Sequence, residues 1–322
     1  MSDTEARIEA SDLHRSFKAK VAVDGLSLRV AAGEIYGLVG PDGAGKTTTL
    51  RMLAGLVDPS AGRVRLMGKD PFGTDASVRE NLGYMPQQYS LYGDLTVAEN
   101  LAFFREMYCV PRAVFSERRD RLLALTRLAE FKGRRAEALS GGMYKKLALS
   151  CALLHEPKVL LLDEPTNGVD PVSRREFWEL LHEFLSGGMA ILLTTPYMDE
   201  AARCHRAGML LSGKLLEEGQ PSEMLAAFPH PVYRVRGDRA KVTAAVEKNP
   251  DVLAFTPAGA LMRVVVRHGC EDAVRSTLAA LGAEVSPTSA SFEDLFLTRL
   301  HERTEAKREG ASKGKPSDKS AS

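Results

Sequence analysis

Gly40-Pro41-Asp42-Gly43-Ala44-Gly45-Lys46-Thr47 fits the pattern G-x-x-x-x-G-K-[ST], and its reading decides the fold. An apolar run, Ile35-Tyr36-Gly37-Leu38-Val39, precedes it and predicts a strand. The residues after it, Thr47 to Ala54, predict a helix. Strand, glycine-rich loop and helix in that order make a phosphate-binding loop. The glycines let the backbone turn tightly and aim its N–H groups inward. Those groups and the helix N-terminus then attract negative phosphates. Lys46 is placed to reach the β- and γ-phosphates, and the Thr47 hydroxyl to take Mg²⁺. Gly40, Pro41, Asp42, Gly43, Ala44, Gly45, Lys46, Thr47 and Thr48 are the candidate nucleotide-binding positions.

Two further segments suit that chemistry. Val159-Leu160-Leu161-Leu162 reads as a buried strand that ends in Asp163-Glu164. Alone, these would be two exposed loop acids. Beside a phosphate loop, Asp163 is the candidate Mg²⁺ ligand and Glu164 the candidate general base for an attacking water. Leu139-Ser140-Gly141-Gly142-Met143 precedes a helical stretch, Tyr144 to Leu154. Ser140 suits a helix N-cap, and the two glycines expose backbone N–H groups.

Length and composition bound the rest. A chain of 322 residues suggests two domains. With 44% hydrophobic and 26% charged residues it has a globular composition. Its apolar runs are far shorter than the roughly 20 residues of a spanning helix. The polar start, Met1 to Glu9, has no signal-peptide core, so a cytoplasmic setting is expected. The net charge of +1 makes no electrostatic case for a nucleic-acid partner. Cys109, Cys151, Cys204 and Cys270 lie too far apart for a Cys-x-x-Cys site and are expected to be buried or half-buried thiols.

Along the chain, Leu26 to Val30 alternates as a strand, and Ala190 to Leu193 reads as a buried strand of a parallel sheet. The helical period from Leu101 to Leu128 marks an inserted subdomain, about 88–157. Residues 229–300 change rhythm. Val232 to Arg236, Ala240 to Lys248, Val252 to Phe255, Leu261 to Arg267, Glu271 to Leu281 and Ala283 to Val285 read as βαββαβ, a ferredoxin-like order. A turn is expected at Pro257-Ala258-Gly259, and Ser291-Phe292-Glu293-Asp294 reads as a capped helix start. Residues 301–322 are expected to be disordered.

Taken together, these segments resemble the ATP-binding subunit of an ATP-binding cassette (ABC) transporter, in the family's order over roughly 7–225. Leu139 to Met143 resembles the family signature, with Met143 in the usual Gln position. Gln87, after Tyr84-Met85-Pro86, resembles the loop glutamine that touches Mg²⁺ and water; Gln88 ranks below it. Gly168-Val169-Asp170 resembles the loop that crosses the dimer interface, and Phe17 the aromatic that stacks on adenine. For Phe17, simple packing remains a competing reading. The resemblance implies an α/β P-loop NTPase fold with a mainly parallel sheet and a helical subdomain (1–228), followed by a small α+β domain. It implies ATP and Mg²⁺ as ligands, and a head-to-tail dimer with a second ABC ATPase subunit. Ser140, Gly141 and Gly142 would then meet an ATP held by the partner. It also implies a separate multi-span membrane permease, with this chain peripheral to it at the cytoplasmic face of the membrane. The style of Ala44 to Thr49 and of Asp163 to Pro171 resembles the ABC-2-type export group.

One residue departs from that pattern. The chain reads Thr194-Thr195-Pro196-Tyr197 where the family has a histidine in place of Pro196. Proline offers neither a side-chain donor nor an N–H. The chain's own site is therefore expected to bind ATP and hydrolyse it slowly, with His205 a weak substitute. An asymmetric heterodimer follows as one expectation, and a slow homodimer or a compensating group as the others. The alternative function is a soluble regulatory or sensor ABC ATPase without a permease. One set of motifs and no sustained heptad repeat favour transport.

Overall fold

The computed structural model describes residues 6–88 and 91–313. The chain divides into two compact units, 1–220 and 221–322.

The first unit opens with a hairpin, β1 (Ala6–Phe17) and β2 (Lys20–Ala31), followed by β3 (Ile35–Val39), α1 (Lys46–Leu53) and β4 (Ala61–Leu66). Helix α2 (Ala76–Glu80) leads into β5 (Leu82–Met85). Helices α3 (Val97–Met107), α4 (Arg112–Leu125) and α5 (Gly141–Leu153) follow β5 in the chain. Then come β6 (Val159–Asp163), α6 (Pro171–Phe184), β7 (Ala190–Thr195), α7 (Met198–Ala201), β8 (Arg206–Leu211) and β9 (Lys214–Gly219).

Six strands form one sheet in the order β5-β6-β7-β3-β8-β9. All neighbours are parallel except the edge strand β9. The central strands are buried on both faces, which is why they read as continuous apolar runs. Alternate residues serve opposite cores. Val159, Leu161 and Leu192 pack with Leu50, Met52 and Leu53 of α1. Leu160, Leu162, Ile191 and Leu193 pack with Phe177 and Trp178 of α6 and Leu149 of α5. A second sheet, β2-β1-β4, is antiparallel and exposes its outer face.

Register places the site. Val39 lies opposite Thr195, Asp163 opposite Thr194, and Met85 opposite Leu162. The loops that leave β3, β5, β6 and β7 therefore emerge side by side at the carboxyl edge, where ligands bind in such sheets.

The second unit holds α8 (Pro221–Ala226), β10 (Val232–Arg236), α9 (Arg239–Lys248), β11 (Val252–Ala258), β12 (Leu261–Val266), α10 (Glu271–Ala280), β13 (Glu284–Thr288) and α11 (Phe292–Lys313). Its antiparallel sheet runs β11-β12-β10-β13, the ferredoxin-like order. The division falls at residue 221, so α8 belongs to this unit, and Phe228 packs against Val232, Leu253 and Val265. The expected turn at Pro257-Ala258-Gly259 also shifts: β11 continues to Ala258, and Pro257 pairs with Met262. Proline is tolerated there because β11 is an edge strand. The reversal falls at Gly259, whose φ is +64°.

The expectation of a structureless tail from 301 is corrected as far as Lys313, where α11 ends; residues 314–322 lie outside the described residues. Glu, Ala, Lys and Arg are good helix formers without being apolar. Glu302 and Glu305 also pair with His230 at 3.7 Å and Arg267 at 3.8 Å.

The start of α11 is capped as its sequence suggests. The Asp294 carboxylate accepts from the Ser291 backbone N–H at 2.7 Å and the Ser291 hydroxyl at 2.6 Å. It also takes a two-pronged contact from Arg263, at 3.2 and 2.5 Å. Asp294→Ala is expected to cost the second unit about 3 kcal/mol, by removing the cap and leaving Arg263 without its partner. Urea denaturation followed by far-UV circular dichroism measures it. The fluorescence of the single Trp178, in the first unit, is expected to report an unshifted transition.

Candidate functional site

The phosphate loop leaves β3 at Gly40, whose N–H donates to the Thr195 carbonyl of β7 at 3.2 Å. It closes into α1 at Gly45, where φ is +110°. A Cβ there would lie 2.3 Å from the Ala22 carbonyl oxygen, so only glycine fits. Lys46, the first residue of α1, is buried. Its Nζ donates to the Gly40 carbonyl at 2.9 Å and the Pro41 carbonyl at 3.2 Å, and lies 3.0 Å from Glu164 Oε1.

Asp163 and Glu164 stand at the end of β6. Thr47 Oγ1 donates to Asp163 Oδ1 at 3.0 Å, and Thr194 Oγ1 donates to the same oxygen at 2.7 Å. The Thr194 hydroxyl in turn accepts from the Glu164 N–H at 3.0 Å. Burial pushes the Asp163 carboxyl above its ordinary range, against those two hydroxyl donors. Glu164 has a left-handed backbone, φ +46°, an uncommon state for a residue with a Cβ. Its Oε2 accepts from Gln87 Nε2 at 2.7 Å and from Asn167 Nδ2 at 3.1 Å.

Lys46, Thr47, Asp163, Glu164 and Gln87 are thus brought together, while Gln88 is exposed. Three contributors were missed in the sequence: Asn167, Thr194 and Lys145. Lys145 Nζ donates to the Gln87 carbonyl at 3.0 Å. Burial lowers its ammonium below the ordinary lysine value, against the pull of Asp163 and Glu164. Asn167 and Thr194 stand next to motif residues, and that adjacency was the available signal.

Other candidates sit elsewhere. Ser140 caps α5 by accepting from the Met143 N–H at 3.3 Å, and Ser140 and Gly141 are exposed. Gly142 is buried, and a Cβ there would lie 2.4 Å from Ser173 Oγ of α6. Lys146 of α5 is ion-paired to Glu176 of α6, so the two helices are joined at two levels. Phe17 ends β1, is 46% exposed, and has the Arg15 guanidinium over its ring at 4.7 Å.

His205 does not stand in for a histidine at the position of Pro196. It immediately precedes β8, and its Nδ1 accepts from the Ile35 N–H at 3.1 Å. Ile35 is the first residue of β3, at the opposite edge of the sheet from the phosphate loop. Among the cysteines, Cys151 and Cys204 are buried, but Cys109 is exposed.

The site's donor types match its expected ligands. Backbone N–H groups at the start of α1 suit phosphate oxygens. A hydroxyl and a carboxylate oxygen, Thr47 Oγ1 and Asp163 Oδ1, suit a hard cation such as Mg²⁺.

Comparison with known proteins agrees. A family model described as ABC transporter matches residues 23–167. "Nod factor export ATP-binding protein I" of Paraburkholderia xenovorans (strain LB400) is 45% identical over 225 residues, 69% of this chain and 74% of that protein. The chain belongs to the ABC transporter ATP-binding family. A second family member, "Probable multidrug ABC transporter ATP-binding protein YbhF" of Escherichia coli (strain K12), is 40% identical over 308 residues, 92% of this chain. Those residues are 52% of that protein, so the chain spans about half its length. Among solved ABC structures, cbiO1 from Clostridium perfringens, part of the transporter complex cbiONQ, aligns with a TM-score of 0.63 at 27% identity, over 69% of this chain and 92% of that one. A dimeric bacterial ABC transporter cassette aligns with a TM-score of 0.60 at 25% identity, over 66% of this chain and 98% of that one.

The buried Asp163 carboxyl makes a test of the site without nucleotide. Its raised folded value means that the folded chain holds this proton more tightly than the unfolded chain does. Stability from this group therefore falls as pH rises above the ordinary value of 3.8 and through the folded one. Asp163→Asn is expected to raise the Tm of the nucleotide-free chain at pH 7, with the gain shrinking as pH is lowered toward 3.8. Thermal denaturation across that range checks it.

Proposed function

We propose that this chain is the ATP-hydrolysing subunit of an export system and energises a separate multi-span membrane permease. The observation that carries the reading is the meeting of Lys46, Thr47, Asp163, Glu164 and Gln87 at one edge of the parallel sheet. Export is supported by the names of the relatives, which specify multidrug transport and Nod factor export. The ABC-2-type subgroup rests on the style of the motifs. No helix among the described residues is long and apolar enough to cross a membrane. Its place is peripheral, on the permease at the cytoplasmic face.

In this reading the β- and γ-phosphates of ATP lie against the loop N–H groups and the start of α1. Lys46 exchanges its contact with Glu164 for phosphate oxygens. Thr47, Asp163 and the Gln87 amide oxygen would hold Mg²⁺, which would supply charge neutralisation at the phosphates. Glu164, released by Lys46 and still held by Gln87 and Asn167, accepts a proton from the attacking water. Phe17 offers its exposed ring to the adenine. A second cassette, head to tail, presents its signature to this ATP, and Ser140, Gly141 and Gly142 of this chain serve the partner's ATP. A solved cassette neighbour that is dimeric supports pairing of two cassettes.

Pro196 follows β7 and supplies no donor to the γ-phosphate. Loss of one such donor typically costs about 10²–10³ in rate. The chain's own site is therefore slow, and a partner cassette with a histidine supplies the fast one.

Steady-state ATP turnover of the chain, alone and with its partner cassette, tests this. Turnover is expected mainly in the mixture, and to depend on the partner's phosphate-loop lysine more than on Lys46. Glu164→Gln is expected to abolish hydrolysis at the chain's own site while leaving ATP binding. Pro196→His is expected to raise that site's rate by about 10²-fold. No gain would contradict the missing-donor account. Copurification of a multi-span membrane protein separates the export reading from a soluble sensor ATPase.

A further inference from the structure

We infer that Tyr197 is a positioning residue that orients Glu164 through Asn167. The inference rests on the reading of Glu164 as the general base.

The chain of contacts begins at the Tyr197 hydroxyl, which donates to Asn167 Oδ1 at 3.3 Å. Asn167 Nδ2 then donates to Glu164 Oε2 at 3.1 Å. These partners decide which way the amide points. A carboxylate only accepts, so it takes the NH₂ end, and the phenol donates to the oxygen end. Without the phenol proton, the Asn167 oxygen loses the partner that opposes a flip. Flipped, that oxygen would face the carboxylate and repel it.

Tyr197 and the segment that carries Asn167 are both anchored on one buried carboxylate. Glu200 has no exposed surface. It accepts from Thr166 Oγ1 at 2.7 Å, which holds the segment that carries Asn167. It accepts from Thr195 Oγ1 at 2.6 Å, and the Thr195 hydroxyl takes the Tyr197 N–H at 3.1 Å. The Glu200 N–H donates to the Tyr197 carbonyl at 3.2 Å. Trp178 Nε1 donates to Glu200 at 3.4 Å, and Arg174 Nε lies 3.7 Å from it. The Arg174 guanidinium carbon is 4.2 Å from the centre of the Tyr197 ring, which fixes the ring plane. The phenol oxygen is therefore delivered by its ring, its backbone and two neighbouring segments. It stands one residue after Pro196, where the side-chain donor of the family pattern is missing.

Tyr197→Phe removes only the hydroxyl and keeps the ring under Arg174. Single-turnover hydrolysis of Mg-ATP, with the full chain in excess, reads even a slow site. Tyr197→Phe is expected to lower that rate constant about threefold to tenfold and to leave ATP affinity unchanged. Asn167→Ala is expected to lower it at least as much, and Tyr197→Phe to cost nothing more in that background. A Tyr197→Phe rate equal to that of the unmutated chain, or additive losses in the double variant, overturns the inference. Glu164→Gln is the separate control: hydrolysis that survives it overturns the general-base reading, whatever Tyr197 does. The hydrogen bond is also tested without turnover. The Asn167 side-chain amide signals of the ¹⁵N-labelled chain, assigned by their loss in Asn167→Ala, are expected to shift in Tyr197→Phe. Signals that stay in place overturn it.

Discussion

A buried carboxylate needs donors, and Glu164 draws three from three separate segments: Lys46 Nζ, Gln87 Nε2 and Asn167 Nδ2. Taking charge out of water is costly, and one ion pair does not offset that cost without further hydrogen bonds. The rest of the first unit supplies them. Strands β5, β6, β7 and β3 lie side by side and parallel, so the segments carrying Gln87, Glu164 and Lys46 leave the same edge of the sheet. A one-residue slip of β6 would turn Asp163 and Glu164 to opposite faces and undo the cluster.

The apolar cores hold that register. Alternate residues of β6 and β7 fill two cores, one against α1 and one against α5 and α6. The elements that carry phosphate-loop and signature residues thus pack on opposite faces of the same strands. Glu200 adds a polar lock at the same edge, tying Thr166, Thr195 and Trp178 to one carboxylate. The second unit has its own core, built from Val235, Val242, Val264, Val274 and Leu278. Its helix cap and the Arg263–Asp294 pair add polar order within that unit.

Much of this was legible in the residues. A phosphate loop, a helix cap and a buried strand depend on neighbours within a few positions, so their signals are contiguous. The βαββαβ order of the second unit was legible for the same reason. Its end was not: 301–313 holds no large apolar residue to signal a packed helix, yet α11 runs to Lys313, and Glu302 and Glu305 pair with His230 and Arg267.

From the sequence alone came the reading of Lys46, Thr47, Asp163 and Glu164 as a nucleotide site, the family resemblance and the departure from the family pattern expected at Pro196. Only the tertiary structure decided which groups hold those residues. Gln87 and Glu164 are 77 positions apart, and Thr194 and Asp163 are 31 apart. It excluded His205, placing it beside Ile35 at the far edge of the sheet, and it brought Tyr197 to Asn167 across 30 residues. The physical reason is that backbone motifs are set by local dihedral preference. Hydrogen-bond partners of a buried charge are set by strand register and by what packs behind it, and neither is written within any short stretch of the chain.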